Sequence, residues 1–132
     1  MDLATWLDDS DALVALDAAY AAAWKATDEA LLTLCHDRVA VLLGHSGRCH
    51  PMPFDDQESP SVWSQSEAST ARERAALDYT EQYIVDVSSM SNDQASALRE
   101  HLGDEGLVSF TNALLVIEQR MTLELAFEEV LR

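Results

Sequence analysis

Basic side chains are scarce in this chain of 132 residues. Eight lysines and arginines stand against 24 aspartates and glutamates, the formal net charge is −16, and Lys25 is the only lysine. A surface this acidic repels the phosphates of nucleic acids and the headgroups of anionic lipids. The composition therefore predicts a protein that binds neither nucleic acid nor a membrane surface, and it argues against phosphate sites built on lysine.

Cysteines and long apolar runs are also rare. No apolar stretch approaches the roughly 18 uninterrupted residues of a membrane span, and residues 1–9 contain no basic segment ahead of an apolar run, as a secretory signal would. The two cysteines, Cys35 and Cys49, are too few for a disulfide framework. We therefore expect a soluble cytoplasmic protein whose thiols are reduced.

Glycine and proline, the residues that interrupt helices, number only four and three. Alanine and leucine, both strong helix formers, dominate the periodic segments, and no segment shows the alternation typical of a strand. Hydrophobic residues make up 48% of the chain, which is enough for the core of one domain. The sequence predicts a single all-α domain over residues 1–132, with about five or six helices.

Capping residues place the first two helices. Ser10 suits the N-cap of a helix over residues 11–24, and Thr27 and Asp28 suit the start of a second helix that ends at Gly44. Apolar residues at spacings of three and four give each helix one stripe that faces a core. The two stripes are Leu13, Leu16, Tyr20 and Trp24, and Leu31, Leu34, Cys35, Val39 and Leu42.

The second half of the chain begins with a clear helix start. Thr70 and Ser91 each open a capping box, in which Glu or Gln follows Ser or Thr after three residues. The helix after Ser91 ends at Gly103, and Asp104 can cap a final helix that runs to about residue 131. The predicted inward residues before that final helix are Ala76, Tyr79, Tyr83, Val87, Leu98 and Leu102.

The final helix is apolar most of the way round. Its apolar residues are Leu107, Val108, Phe110, Leu114, Leu115, Ile117, Met121, Leu123, Leu125 and Phe127. A helix of this kind lies at the centre of a core or shares a face with a partner subunit. We therefore expect a homo-oligomer, most simply a two-fold dimer, with a trimer or hexamer as the alternative.

Residues 45–69 lack any helical periodicity. The stretch contains Pro51, Pro53 and Pro60 with several serines, and it is long for an irregular connection in a compact domain. We expect it to be the most variable part of the structure. Trp63 is the exception, because an exposed indole is unfavourable, and its ring should pack against the helical body.

The segments at residues 34–44, 73–81 and 91–120 together resemble the carboxymuconolactone decarboxylase family, which includes the alkylhydroperoxidase D-like proteins. Residues 34–44, LCHDRVAVLLG, resemble the family helix L-x-x-L-R-V-A-x-L-L-G, and residues 73–81, ERAALDYTE, resemble E-R-A-A-L-x-Y-T-E. Residues 91–120 are similar to the family pattern V-T-D-E-x-x-x-x-L-R-x-H-F-S-D-x-E-L-V-x-L-T and the helix after it. The resemblance covers about residues 28–125.

The resemblance implies an all-helical fold that assembles into dimers, trimers or hexamers. Peroxidase members of the family carry a Cys-x-x-Cys pair directly after the glycine of the first motif, with a histidine after it and a glutamate before it. Such chemistry needs a thiolate near neutral pH and a second thiol that resolves the oxidised one. The corresponding positions decide whether this chain can share that activity.

None of those positions keeps the required side chain. His45 and Arg48 stand where the family has cysteines, Met52 where it has the histidine, and Thr33 where it has the glutamate. A shift of one residue places Ser46 and Cys49 at the thiol positions and Pro53 at the histidine. Pro51 and Pro53 also interrupt the helix that follows the motif in the family.

For most of the other chemically reactive residues the sequence predicts packing or surface roles. Cys35 lies on an apolar stripe, as buried free cysteines do, and Arg38 is expected to pair with a carboxylate. Cys49, between Arg48 and His50, is the one candidate reactive thiol, because neighbouring cations lower a thiol pKa. The histidines and cysteines match no standard metal spacing, so we predict no metal or other cofactor.

These features favour a divergent family member without the peroxidase centre, acting as a homo-oligomeric binding or structural protein with an unidentified small ligand. The alternative is an oxidoreductase, or a decarboxylase-type enzyme acting on a small acid, that uses the same pocket with Cys49 and His50 as its weak catalytic candidates. An unrelated acidic helical adaptor is the third reading of the same composition. Thiol reactivity separates the first two, and the arrangement of the helices tests the third.

Overall fold

The computed structural model describes Leu7 and residues 10–45 and 70–130. These residues form four helices, which we label α1 (Asp11–Lys25), α2 (Glu29–Leu43), α3 (Ala71–Asp86) and α4 (Asn92–Val130), with a 3-10 turn at Val87–Ser89. The described part contains no strand, so the all-α prediction is confirmed there. Residues 46–69, with the predicted irregular connection and Trp63, lie outside the described residues.

The first two helices begin and end where the capping residues predict. The Ser10 side chain accepts a hydrogen bond from the Leu13 amide at 3.2 Å, and the Asp28 carboxylate accepts one from the Leu31 amide at 3.0 Å. The bond to Leu31 also lowers the pKa of Asp28. Gly44 ends α2 in the left-handed conformation, with a φ of 73° and a ψ of 25°, a region that glycine adopts without steric cost.

Both predicted capping boxes are present. The Thr70 hydroxyl accepts from the Glu73 amide at 3.1 Å, and the Glu73 carboxylate accepts from the Thr70 amide. At the start of α4, Ser91 and Gln94 make the same reciprocal pair, at 3.1 and 2.9 Å. These local bonds satisfy amides that a helix start leaves without backbone partners.

Gly103 interrupts α4. Its φ of 76° and ψ of 175° are not helical, so α4 consists of a short segment over residues 92–102 and a long one over residues 104–130. The predicted end of a helix at Gly103 is therefore present as a break. Asp104, predicted to cap the next segment, instead pairs with the Arg99 side chain at 2.9 Å.

The long segment of α4 lies at the centre of the core. It contacts all three other helices, while α2 and α3 pack directly against each other. Its buried residues form one hydrophobic core with buried residues of α2 and α3. The fully buried large side chains of the core are Leu32, Val39, Leu77, Leu98, Phe110, Leu114, Ile117 and Met121.

Two details of the predicted faces differ from the structure. Val87 was expected on the inward face of the third helix, but it lies in the 3-10 turn with 57% of its surface exposed. His36, which no apolar pattern marks, is fully buried instead. Among the described residues, no helix combines the length and the hydropathy that crossing a membrane requires.

Candidate functional site

Cys35 lies in the core between α2 and α3. Its side chain is fully buried, as the apolar stripe predicts, and burial raises the pKa of the thiol to about 12. A hydrogen bond from Thr80 favours the thiolate, but it only partly offsets the cost of removing a charge from water. Because the thiolate is the reactive form, this burial favours a packing role for Cys35 over redox chemistry.

Of the four family-motif positions, the structure describes Thr33 and His45. The Thr33 hydroxyl donates to the Glu29 carbonyl one turn earlier in the same helix, at 2.7 Å. A threonine in this position has no acidic proton to relay. Arg48 and Met52 lie outside the described residues, as do Cys49, His50 and the alternative positions Ser46 and Pro53.

His45, directly after Gly44, approaches a carboxylate on another helix. Its Nε2 atom lies 3.5 Å from Oε2 of Glu124 on α4, and its side chain is only 5% exposed. Arg120 lies one turn earlier on α4, with its Nε 3.7 Å from Oε1 of Glu124. The end of α2 therefore meets α4 through an imidazole, a carboxylate and a guanidinium.

Arg120 also connects this group to α1. One of its terminal nitrogens donates to the Asp17 carboxylate at 2.9 Å, and its guanidinium carbon lies 4.8 Å from the centre of the Tyr20 ring. We call His45, Glu124, Arg120, Asp17 and Tyr20 the charged cluster. A half-buried arginine with carboxylates and an aromatic face stabilises a fixed arrangement of helices.

Sequence reasoning identified only His45 among the members of the charged cluster. Glu124 and Arg120 belong to the same helical turn of α4, at a spacing of four residues, which by itself is typical of a surface ion pair. Asp17 lies on α1, far away in the chain. No local pattern marks these residues as neighbours, because packing of α1, α2 and α4 brings them together.

Two further ion pairs involve α3. Arg38 contacts the Glu81 carboxylate, which confirms that this half-buried arginine pairs with an acid. Arg72 lies 3.1 Å from Asp28 at the exposed start of α2. Surface pairs of this kind contribute little to the free energy of folding, and they orient helix ends without forming a site.

A second candidate site is a groove of about 340 Å³ between α3 and α4. Its floor is tied by a hydrogen bond of 2.7 Å between the Tyr79 hydroxyl and the Thr111 hydroxyl. None of the lining side chains is charged. The residues that line it, which we call the α3–α4 groove, are Tyr79, Tyr83, Leu107, Val108, Thr111, Asn112 and Leu115.

Two titratable groups near the groove have shifted pKa values. Burial raises the pKa of Glu118, which follows Leu115 by one turn of α4. Burial also raises the pKa of Tyr83, and the Glu118 and Tyr79 side chains add to that shift. Both shifts favour the neutral form of the side chain.

The residues that the structure describes contain no cluster of three or more His, Cys, Asp or Glu side chains able to hold a metal ion. Comparisons of the chain with protein-family models, with curated proteins and with solved structures found no match.

Proposed function

We propose that this chain is a divergent relative of the carboxymuconolactone decarboxylase and alkylhydroperoxidase D-like proteins that acts without a thiol peroxidase centre. In this proposal it is a homo-oligomeric binding or structural protein. The helical fold is of the alkylhydroperoxidase D-like type, with α2 carrying the first motif and α3 the second. The order of helices and the glycine at the end of α2 support that assignment.

The state of the described motif positions carries the proposal. Thr33 bonds to its own helix, and His45 lies in the charged cluster where a peroxidase would hold its first thiol. The fully buried Cys35 offers no replacement, because its raised pKa keeps the sulfur protonated at physiological pH. The described residues thus hold the motif region together by structural contacts and supply no thiolate.

Peroxide turnover tests the loss of the thiol centre. The purified protein, assayed with an organic hydroperoxide and a dithiol donor, should consume no more peroxide than a Cys49→Ser variant. The Cys35→Ala variant serves as a control for non-specific thiol oxidation after unfolding. Turnover that Cys49→Ser abolishes would replace this proposal with the oxidoreductase alternative.

Exposed apolar side chains on the last helix support the homo-oligomeric part of the proposal. Val108 and Leu115 remain 69% and 40% exposed although the rest of α4 is the centre of the core. Apolar residues clustered on one surface mark contact sites more often than isolated ones do. Light scattering on the intact chain tests this directly, and a mass of 14.6 kDa at micromolar concentration would contradict it.

A further inference from the structure

We draw no further inference here: the strongest candidate, the α3–α4 groove with the exposed apolar side chains of Val108 and Leu115 at its edge, carries none because nothing in the structure shows what covers it.

Discussion

Cys35 and His36 are neighbours in the chain, and both side chains are fully buried for different reasons. Cys35 continues the apolar stripe of α2, and its burial follows from that periodicity. His36 has a Nδ1 atom 3.2 Å from the Asp37 carboxylate and a ring 5.8 Å from that of Trp24. Its burial depends on α1, whose position no pattern within α2 can predict.

Ionisation of Cys35 should make the folded protein less stable at high pH. Its pKa of about 12 in the folded protein lies above the ordinary thiol value of 9.0, so above pH 9 the unfolded chain loses the proton first and the free energy of unfolding falls as the pH rises. We expect the midpoint of urea unfolding to decrease between pH 8 and pH 10. The decrease should be smaller in Cys35→Ala, and equal decreases in both proteins would contradict this assignment.

The pKa of Glu118 is raised as well, and its effect on stability falls at lower pH. Because burial raises the pKa of Glu118 in the folded protein, its charged form destabilises the fold, and stability is lost as the pH rises above the ordinary glutamate value of 4.5. We expect Glu118→Gln to raise Tm at pH 7 by no more than a few degrees and to leave Tm unchanged at pH 4. Glu128→Gln, at an exposed position near the end of α4, is the control, and an equal rise there would contradict the argument.

At the scale of helices, the sequence predicts where each helix starts better than it predicts which face of the helix is buried. Ser10, Asp28, Thr70 and Ser91 form the expected capping bonds because each bond joins residues three positions apart. Val87 was misplaced because a 3-10 turn breaks the periodicity that put it inward. Local chemistry therefore fixes where helices start, whereas contacts between helices decide which side chains are buried.

The two left-handed glycines give a matched test of backbone conformation. A Cβ atom at either Gly44 or Gly103 would meet no atom within 4 Å, so only backbone strain differs. Gly44, at a ψ of 25°, lies where asparagine is tolerated, but Gly103, at a ψ of 175°, lies in a region reserved for glycine.

We therefore expect Gly103→Asn to lower the free energy of unfolding by about 1–3 kcal/mol and Gly44→Asn to lower it by less than about 1 kcal/mol. Urea unfolding followed by circular dichroism measures both values. Equal losses in the two variants would mean that the break in α4 is not a conformational requirement of Gly103.

At the scale of the whole molecule, the candidate sites differ in how far they can be predicted from the sequence. The apolar surplus of the last helix is visible in the sequence, and Val108 and Leu115 are the residues that the fold leaves exposed. The charged cluster is not visible, since Asp17, His45 and Glu124 come from three separate segments. An exposed apolar surface can thus be predicted from one helix, whereas a polar cluster needs the packed structure.

The net charge makes association of the whole molecule sensitive to salt. Two copies of charge −16 repel over about 30 Å at 0.01 M salt but over only about 8 Å at 0.15 M, while burial of apolar area changes little with moderate salt. We expect the dimer dissociation constant to fall at least about tenfold across that range. Sedimentation equilibrium gives the constants, and circular dichroism at each salt concentration separates association from folding. A dimer that weakens as salt is added would show that ion pairs, and not burial of apolar area, hold the copies together.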